Sequence, residues 1–231
     1  MKTVFALLLA VLWTVFGSSS NAQTLNWGSA VFTDLIDSDG NTLPEGVYTF
    51  ELGVFVSGFV PEESNVSQWL GNWRVFDTAG YNGYDGPGDE LYGIITGTEQ
   101  IQNGVTSASN LSFSFAGLSA YLWIRKGDQA EEGSEWFLGR ATNWTFPLTG
   151  GGCCEDDPPI EWSVSDLITN GETPLWGNHG GVEGPGDHSY TGTWGGSGHP
   201  YVVQTYTFVP EPSSLLLAAF SAGLMFRRRR N

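Results

Sequence analysis

An all-β fold, an antiparallel β-sandwich of jelly-roll or immunoglobulin-like type with one short amphipathic helix, is what this sequence predicts. Three observations point to it: short runs in which apolar and polar residues alternate, enrichment of those runs in aromatic and β-branched residues, and glycine-rich polar turns between them. Hydrophobic stretches at the two ends add an N-terminal signal helix and a C-terminal transmembrane helix to the expectation.

The elements are taken in chain order. In "VYTFELGVFV", Tyr48, Phe50, Leu52, Val54 and Val56 fall on one face and Thr49, Glu51 and Ser57 on the other, as in a strand with one buried face. "PEESNVSQWLGNWRVF" changes period: Val66, Trp69, Leu70 and Trp73 recur at i, i+3, i+4 and i+7. That spacing predicts one amphipathic helix over about 63 to 74, with Ser64 as its N-cap. Its tryptophans could form a sugar-stacking strip, but a stripe at helical spacing is ordinarily core, here covering an open end of the sandwich. "LSFSFAG" sets Leu111, Phe113 and Phe115 against Ser112 and Ser114, and similar runs at Tyr121 to Lys126, Trp136 to Arg140, Ile160 to Val164 and Tyr201 to Phe208 complete the strands.

Two near-repeats, "DLIDSDGNT" from 34 with "DLITNGETP" from 166 and "DGPGDE" from 85 with "EGPGDH" from 183, stand at different offsets and do not describe one tandem copy. They read as recurring turn chemistry. No internal domain boundary is visible, and "TGGGCCEDDPP" at 149 to 159 reads as a surface loop.

Residues 1 to 22 have Lys2, an apolar run from about Val4 to Phe16, and small residues at Ser20 and Ala22. This is the layout of a secretory signal cleaved between Ala22 and Gln23. The chain then divides into a signal peptide (1–22), an exported acidic domain (23–208) and a sorting region (209–231). Between Gln23 and Val209 the basic residues are Arg74, Arg125, Lys126 and Arg140, against 24 acidic ones, a net of −20. Such an excess argues against nucleic acid as a partner and makes divalent cations plausible counter-ions.

Val209 to Phe226 is 18 residues, about 27 Å as a helix and close to a hydrocarbon core of roughly 30 Å. Four arginines come directly after it, Arg227, Arg228, Arg229 and Arg230. Moving them outward against an inside-negative potential costs about 2.3 kcal/mol per charge per 100 mV, roughly 9 for four. The tail is therefore expected to stay inside as a membrane stop while the acidic domain faces out.

The ordered combination "VPEP" at 209 to 212, a short apolar helix and a terminal basic cluster resembles a PEP-CTERM sorting domain. The resemblance covers about Val209 to Asn231. It implies that Pro210, Glu211 and Pro212 are recognised by exosortase, a membrane-embedded cysteine-dependent processing enzyme. It also implies transit through the inner membrane, at least transient anchoring there, and delivery to the cell envelope or the extracellular biofilm matrix.

Chemistry in the middle of the chain is sparse. Cys153 and Cys154 are the only cysteines; adjacent Cα atoms lie ~3.8 Å apart, short of the usual disulfide range, so a vicinal bond is strained. Export favours oxidation. A vicinal disulfide is the preferred reading over an intermolecular bridge or two free thiols. Asp37, Asp39 and Asn41 occupy positions 1, 3 and 5 of an EF-hand-like loop, but Thr42 and Tyr48 stand where that loop needs Gly and Glu. An irregular calcium loop and a plain Asp-Gly turn remain the two readings; Asp85, Asp89 and Glu90 raise the same question.

His179, His188 and His199 lie in one glycine-rich stretch, which reads as a long mobile loop, at spacings that match no helical metalloenzyme. "GGSGH" at 195 to 199 lacks the spacing of a nucleophile elbow. With no catalytic constellation and no required cofactor, the expected role is a non-enzymatic structural or adhesive protein. The alternatives are a polysaccharide-binding module using tryptophans such as Trp176 and Trp194, and a hydrolase of matrix polysaccharide with carboxylates that converge only in space.

Overall fold

The computed structural model describes residues 22–29, 33–82, 94–102, 105–106, 112–148, 159–181 and 201–208. They form three sheets of mixed and antiparallel strands. In the first, β10 (Ile160–Ser163), β1 (Ala22–Gly28), β6 (Ile94–Gln102) and β5 (Gly80–Asn82) lie in that order, with β7 (Val105–Thr106) also pairing with β6. The second has the order β11 (Asn178–Gly181), β12 (Tyr201–Gln204), β2 (Thr33–Ile36). The third runs β13 (Tyr206–Thr207), β9 (Glu135–Gly139), β8 (Tyr121–Lys126), β3 (Thr49–Phe55), β4 (Trp73–Thr78). Two pairings are parallel, β1 with β10 and β2 with β12, where the sequence led us to expect antiparallel strands throughout. Alternation reports which face of a strand is apolar and carries no information on the direction of its neighbour.

One apolar core is shared by all three sheets. Leu25, Trp27, Ile95 and Trp162 from the first, Leu35 and Val203 from the second, and Phe50, Leu52, Val54, Phe76, Leu122, Ile124 and Phe137 from the third belong to it. The opposite face of the third sheet is buried as well. There Phe55, Trp73, Trp123, Trp136 and Leu138 form an aromatic cluster with Trp69 and Phe208. Glu51, expected on a solvated face, is instead 6% exposed. Trp73 Nε1 donates to its Oε2 at 2.9 Å and Arg125 Nη2 to its Oε1 at 2.8 Å. Burying a carboxylate is tolerable only with such partners. Gly53 makes the arrangement fit, because a Cβ there would lie 2.6 Å from the Trp73 ring.

The expected helix over 63 to 74 is present in altered form. A 3₁₀ segment, Glu63–Gln68, runs into a single α-turn, α1 (Trp69–Asn72), with Asn65 off helical geometry at φ −118°, ψ 20°. The N-cap position is Glu62 and not Ser64. Asn65 explains the break, since its Oδ1 accepts from Glu62 N at 2.9 Å and from Trp69 Nε1 at 2.8 Å. Trp73 leaves the helix and opens β4, yet both tryptophans are core, 0% and 5% exposed, and neither is a sugar-stacking strip.

Two further expectations are corrected. "LSFSFAG" is no strand over its described residues: Leu118 N bonds Phe115 O at 3.0 Å and Gly117 takes φ +71°, a turn that delivers Phe115 to the core. The run from Ile160 ends at Ser163 and passes into a helix, α2 (Val164–Thr169), across the segment read as a turn repeat. Asp166 Oδ2 accepts from Ser163 N at 3.1 Å and Ser163 Oγ from Ser165 N at 3.3 Å, a capping box. Among the described residues no helix is long and apolar enough to cross a membrane; the expected signal and membrane helices lie outside them.

Candidate functional site

The last described segment, Tyr201 to Phe208, is tied into the fold along its whole length. β12 pairs with β2 and β11, and Thr205 N donates to Ile36 O at 3.0 Å. Gln204 Nε2 reaches Asp37 O at 3.1 Å and Ser38 O at 3.4 Å. β13 then pairs with β9, Tyr206 opposite Trp136 and Thr207 opposite Glu135.

A buried polar knot fastens this strap. Glu135, 7% exposed, accepts from Ser38 Oγ at 2.5 Å, from Tyr48 OH, and from Thr207 Oγ1 at 3.2 Å, with Lys126 Nζ at 3.6 Å. Burial pushes the Glu135 pKa up, but the Ser38 and Tyr48 hydrogen bonds, the Lys126 charge and Thr207 outweigh it and leave it below the ordinary glutamate value. Tyr48 moves the other way, well above the usual phenol range, through burial first and its bond to the carboxylate second.

Phe208 closes the strap. Its N–H donates to Ser134 O at 2.8 Å. Its ring is 4.7 Å from Trp136, edge to face at 80°, and 4.0 Å from Trp176, stacked at 16°. Trp176 in turn donates Nε1 to Tyr206 O at 3.0 Å. It is a half-buried clamp rather than the exposed platform expected of it.

A second feature lies on the first sheet. A cleft of about 410 Å³ is lined by residues including Asn26, Thr96, Thr98, Glu161 and Asp166. Thr98 Oγ1 donates to Asn26 Oδ1 at 3.0 Å and Asn26 Nδ2 to Glu161 Oε1 at 2.7 Å, a polar row across β6, β1 and β10. Trp27 and Trp162 also line it, yet they are only 3% and 7% exposed and present no open face for stacking. Trp27 Nε1 donates to Asp77 Oδ2 at 2.7 Å; burial raises the Asp77 pKa, and Trp27 partly offsets the rise.

Comparison with protein families identifies the tail that begins at Phe208. Residues 208–230 carry the PEP-CTERM protein-sorting motif. The PEP-CTERM match supports export, membrane-associated sorting to the cell envelope and processing by an exosortase-type enzyme. Comparison with curated proteins and with solved structures finds no match. The PEP-CTERM match therefore begins at the residue where the strap ends. The Pro210, Glu211 and Pro212 tripeptide and the membrane-stop arginines Arg227, Arg228, Arg229 and Arg230 fall within the matched segment and lie outside the described residues.

The other predicted positions are scattered. Ala22 and Gln23 open β1, opposite Gln102 and Ile101. Asp37 Oδ1 accepts from Asp39 N at 3.0 Å and Asn41 N at 2.8 Å, so this carboxylate closes its own turn. That turn is the one on which Gln204 docks. Among the described residues no three His, Cys, Asp or Glu side chains converge as a metal site. His179, assigned to a mobile loop, is instead in β11, 1% exposed, with Nε2 2.9 Å from Glu172 O. Cys153, Cys154, Asp85, Asp89, Glu90, His188, Trp194 and His199 lie outside the described residues.

The docking of the strap and the knot that fastens it leave no signal in the sequence, because Glu135, Ser38, Tyr48 and Thr207 are far apart along the chain. The "SVSD" capping signal, by contrast, was available and would have placed α2.

Proposed function

We propose that this chain is a non-enzymatic structural or adhesive protein of the cell envelope or extracellular biofilm matrix. It is delivered there by an N-terminal signal peptide (1–22) and an exosortase-processed tail (209–231). The observation that supports the reading is the sorting motif standing directly after the closing strand of a strongly acidic β-rich body. Arg227, Arg228, Arg229 and Arg230 hold the tail on the cytoplasmic side of a membrane helix while the body, residues 23–208, lies outside as a β-sandwich. Replacing Glu211 with Ala, or deleting the four arginines, should change tail processing or retention. Unchanged intact mass and unchanged location in both variants would refute the reading.

The polar row on the first sheet favours a second reading, binding of polysaccharide. Side-chain amide, hydroxyl and carboxylate groups lining an open cleft match sugar hydroxyls by hydrogen bonding, although aromatic stacking is not offered there. Glycan-array binding lost in the Asn26→Ala, Glu161→Ala double variant, with thermal unfolding unchanged, supports it. No glycan bound by the native protein sinks it.

A further inference from the structure

We propose that Phe208 is a positioning residue for tail processing: the closed strap shields the upstream flank of the sorting motif, and its opening limits the rate of cleavage. The inference rests on the sorting reading and adds to it a control built into the fold. Phe208 is 7% exposed, bonded through its N–H to Ser134 and gripped between Trp136 and Trp176. Only Val209 separates it from Pro210. With ~3.8 Å between successive Cα atoms, Pro210 lies within about 7.6 Å of a residue locked in the domain, and Glu211 within about 11 Å.

An enzyme that takes hold of the motif must bring its own surface that close to the folded body. On the upstream side only Val209 separates the motif from Phe208. Cleavage of a chain next to an ordered strand proceeds through local opening, and its rate follows the open population when closing is fast. Here that population is held down by the Phe208 clamp, by Thr207 on Glu135, and by Gln204 on the 37–38 turn. The device couples processing to folding, since a chain whose strap is open offers its tail more readily than one whose strap is closed.

The test uses the full-length chain in a host that carries an exosortase-type enzyme, with conversion followed by pulse-chase and intact mass. Two variants open the flank by different routes. Phe208→Ala loosens the clamp, and eight Gly/Ser residues inserted between Phe208 and Val209 leave the clamp intact while carrying the motif clear of the domain. Both should convert roughly tenfold faster than the native chain or more, and Glu211→Ala should abolish conversion. If the insertion converts at the native rate while Glu211→Ala still blocks, the strap does not gate processing and the sorting reading stands. Acceleration by Phe208→Ala alone signals general unfolding and also overturns the gate. If Glu211→Ala converts normally, or no tail-shortened product forms from any chain, the sorting reading fails and the gate falls with it.

Discussion

Phe208 and Trp176 stack with ring centroids 4.0 Å apart and an interplanar angle of 16°, and this pair joins the end of the described fold to the start of its sorting motif. The contact has a measurable weight. A fully buried aromatic truncated to alanine costs about 3–5 kcal/mol, and a half-buried one less. Phe208→Ala should therefore lower the midpoint of thermal unfolding by roughly 10 °C in a domain of this size. Trp176→Ala should cost about half as much, and the double variant less than the sum, because each ring loses its partner in either single variant. Strict additivity in differential scanning calorimetry would show the stacking to be energetically idle.

How far the sequence made this architecture legible varies by element. Tyr121 to Lys126 is read to the residue, because its apolar run from Tyr121 to Ile124 stops at Arg125 and Lys126 and the turn glycine Gly127 follows. In β3 the inward face of Phe50, Leu52 and Val54 is likewise legible. The other face is not, since Glu51 reads as solvated until Trp73 and Arg125 are seen to close over it. The strap residues were legible as a strand. Their docking on Ser38, Glu135 and Ser134 was not, because contacts between residues so distant in sequence leave no periodic trace.

The buried pair between Arg125 and Glu51 supplies a prediction about charge. Their side chains are 11% and 7% exposed and 2.8 Å apart, and Arg125 also bonds Asp128 and lies 5.4 Å over the Trp123 ring. Removing one partner leaves the other as an uncompensated buried charge, a loss of about 3–5 kcal/mol. Arg125→Ala should show that loss in urea unfolding. Replacing both, with Glu51→Leu and Arg125→Met, should recover most of it. A double variant no better than Arg125→Ala would mean that the pair's worth lies in its hydrogen bonds to Trp73 and Asp128.

Acid should act on the strap and on the contact between Asp77 and Trp27 with opposite signs. Glu135 has a folded pKa below its unfolded value, so its contribution is present above about pH 4.3 and is lost as pH falls through the folded pKa. Asp77 has a folded pKa above its unfolded value, so its contribution is present below about pH 3.9 and is lost as pH rises through the folded pKa. Glu135→Gln should thus make stability less sensitive to acid, and Asp77→Asn should steepen the net loss on acidification. Urea midpoints across pH 3 to 7 check both. The same slope change in the two variants would contradict the assignment of opposite shifts.

Gly97 stands opposite Trp27 in the β1–β6 pairing, and its missing side chain is where the indole lies. A Cβ built there falls 2.2 Å from Trp27 Nε1 and 2.8 Å from Asp77 Oδ2, distances no packed methyl group tolerates. Gly97→Ala must then push the indole off its carboxylate, leaving a half-buried acceptor without its donor and the wall of the cleft displaced. The cost should be about 1–3 kcal/mol, greatest above the folded pKa of Asp77, where the carboxylate is charged, and smaller below it, where protonation relieves it. Trp27→Phe removes the same donor without the steric push and should cost less at every pH. Equal losses from the two variants would place the whole effect in the hydrogen bond, whereas a Gly97→Ala protein as stable as the native one would mean that the indole does not occupy this position in solution.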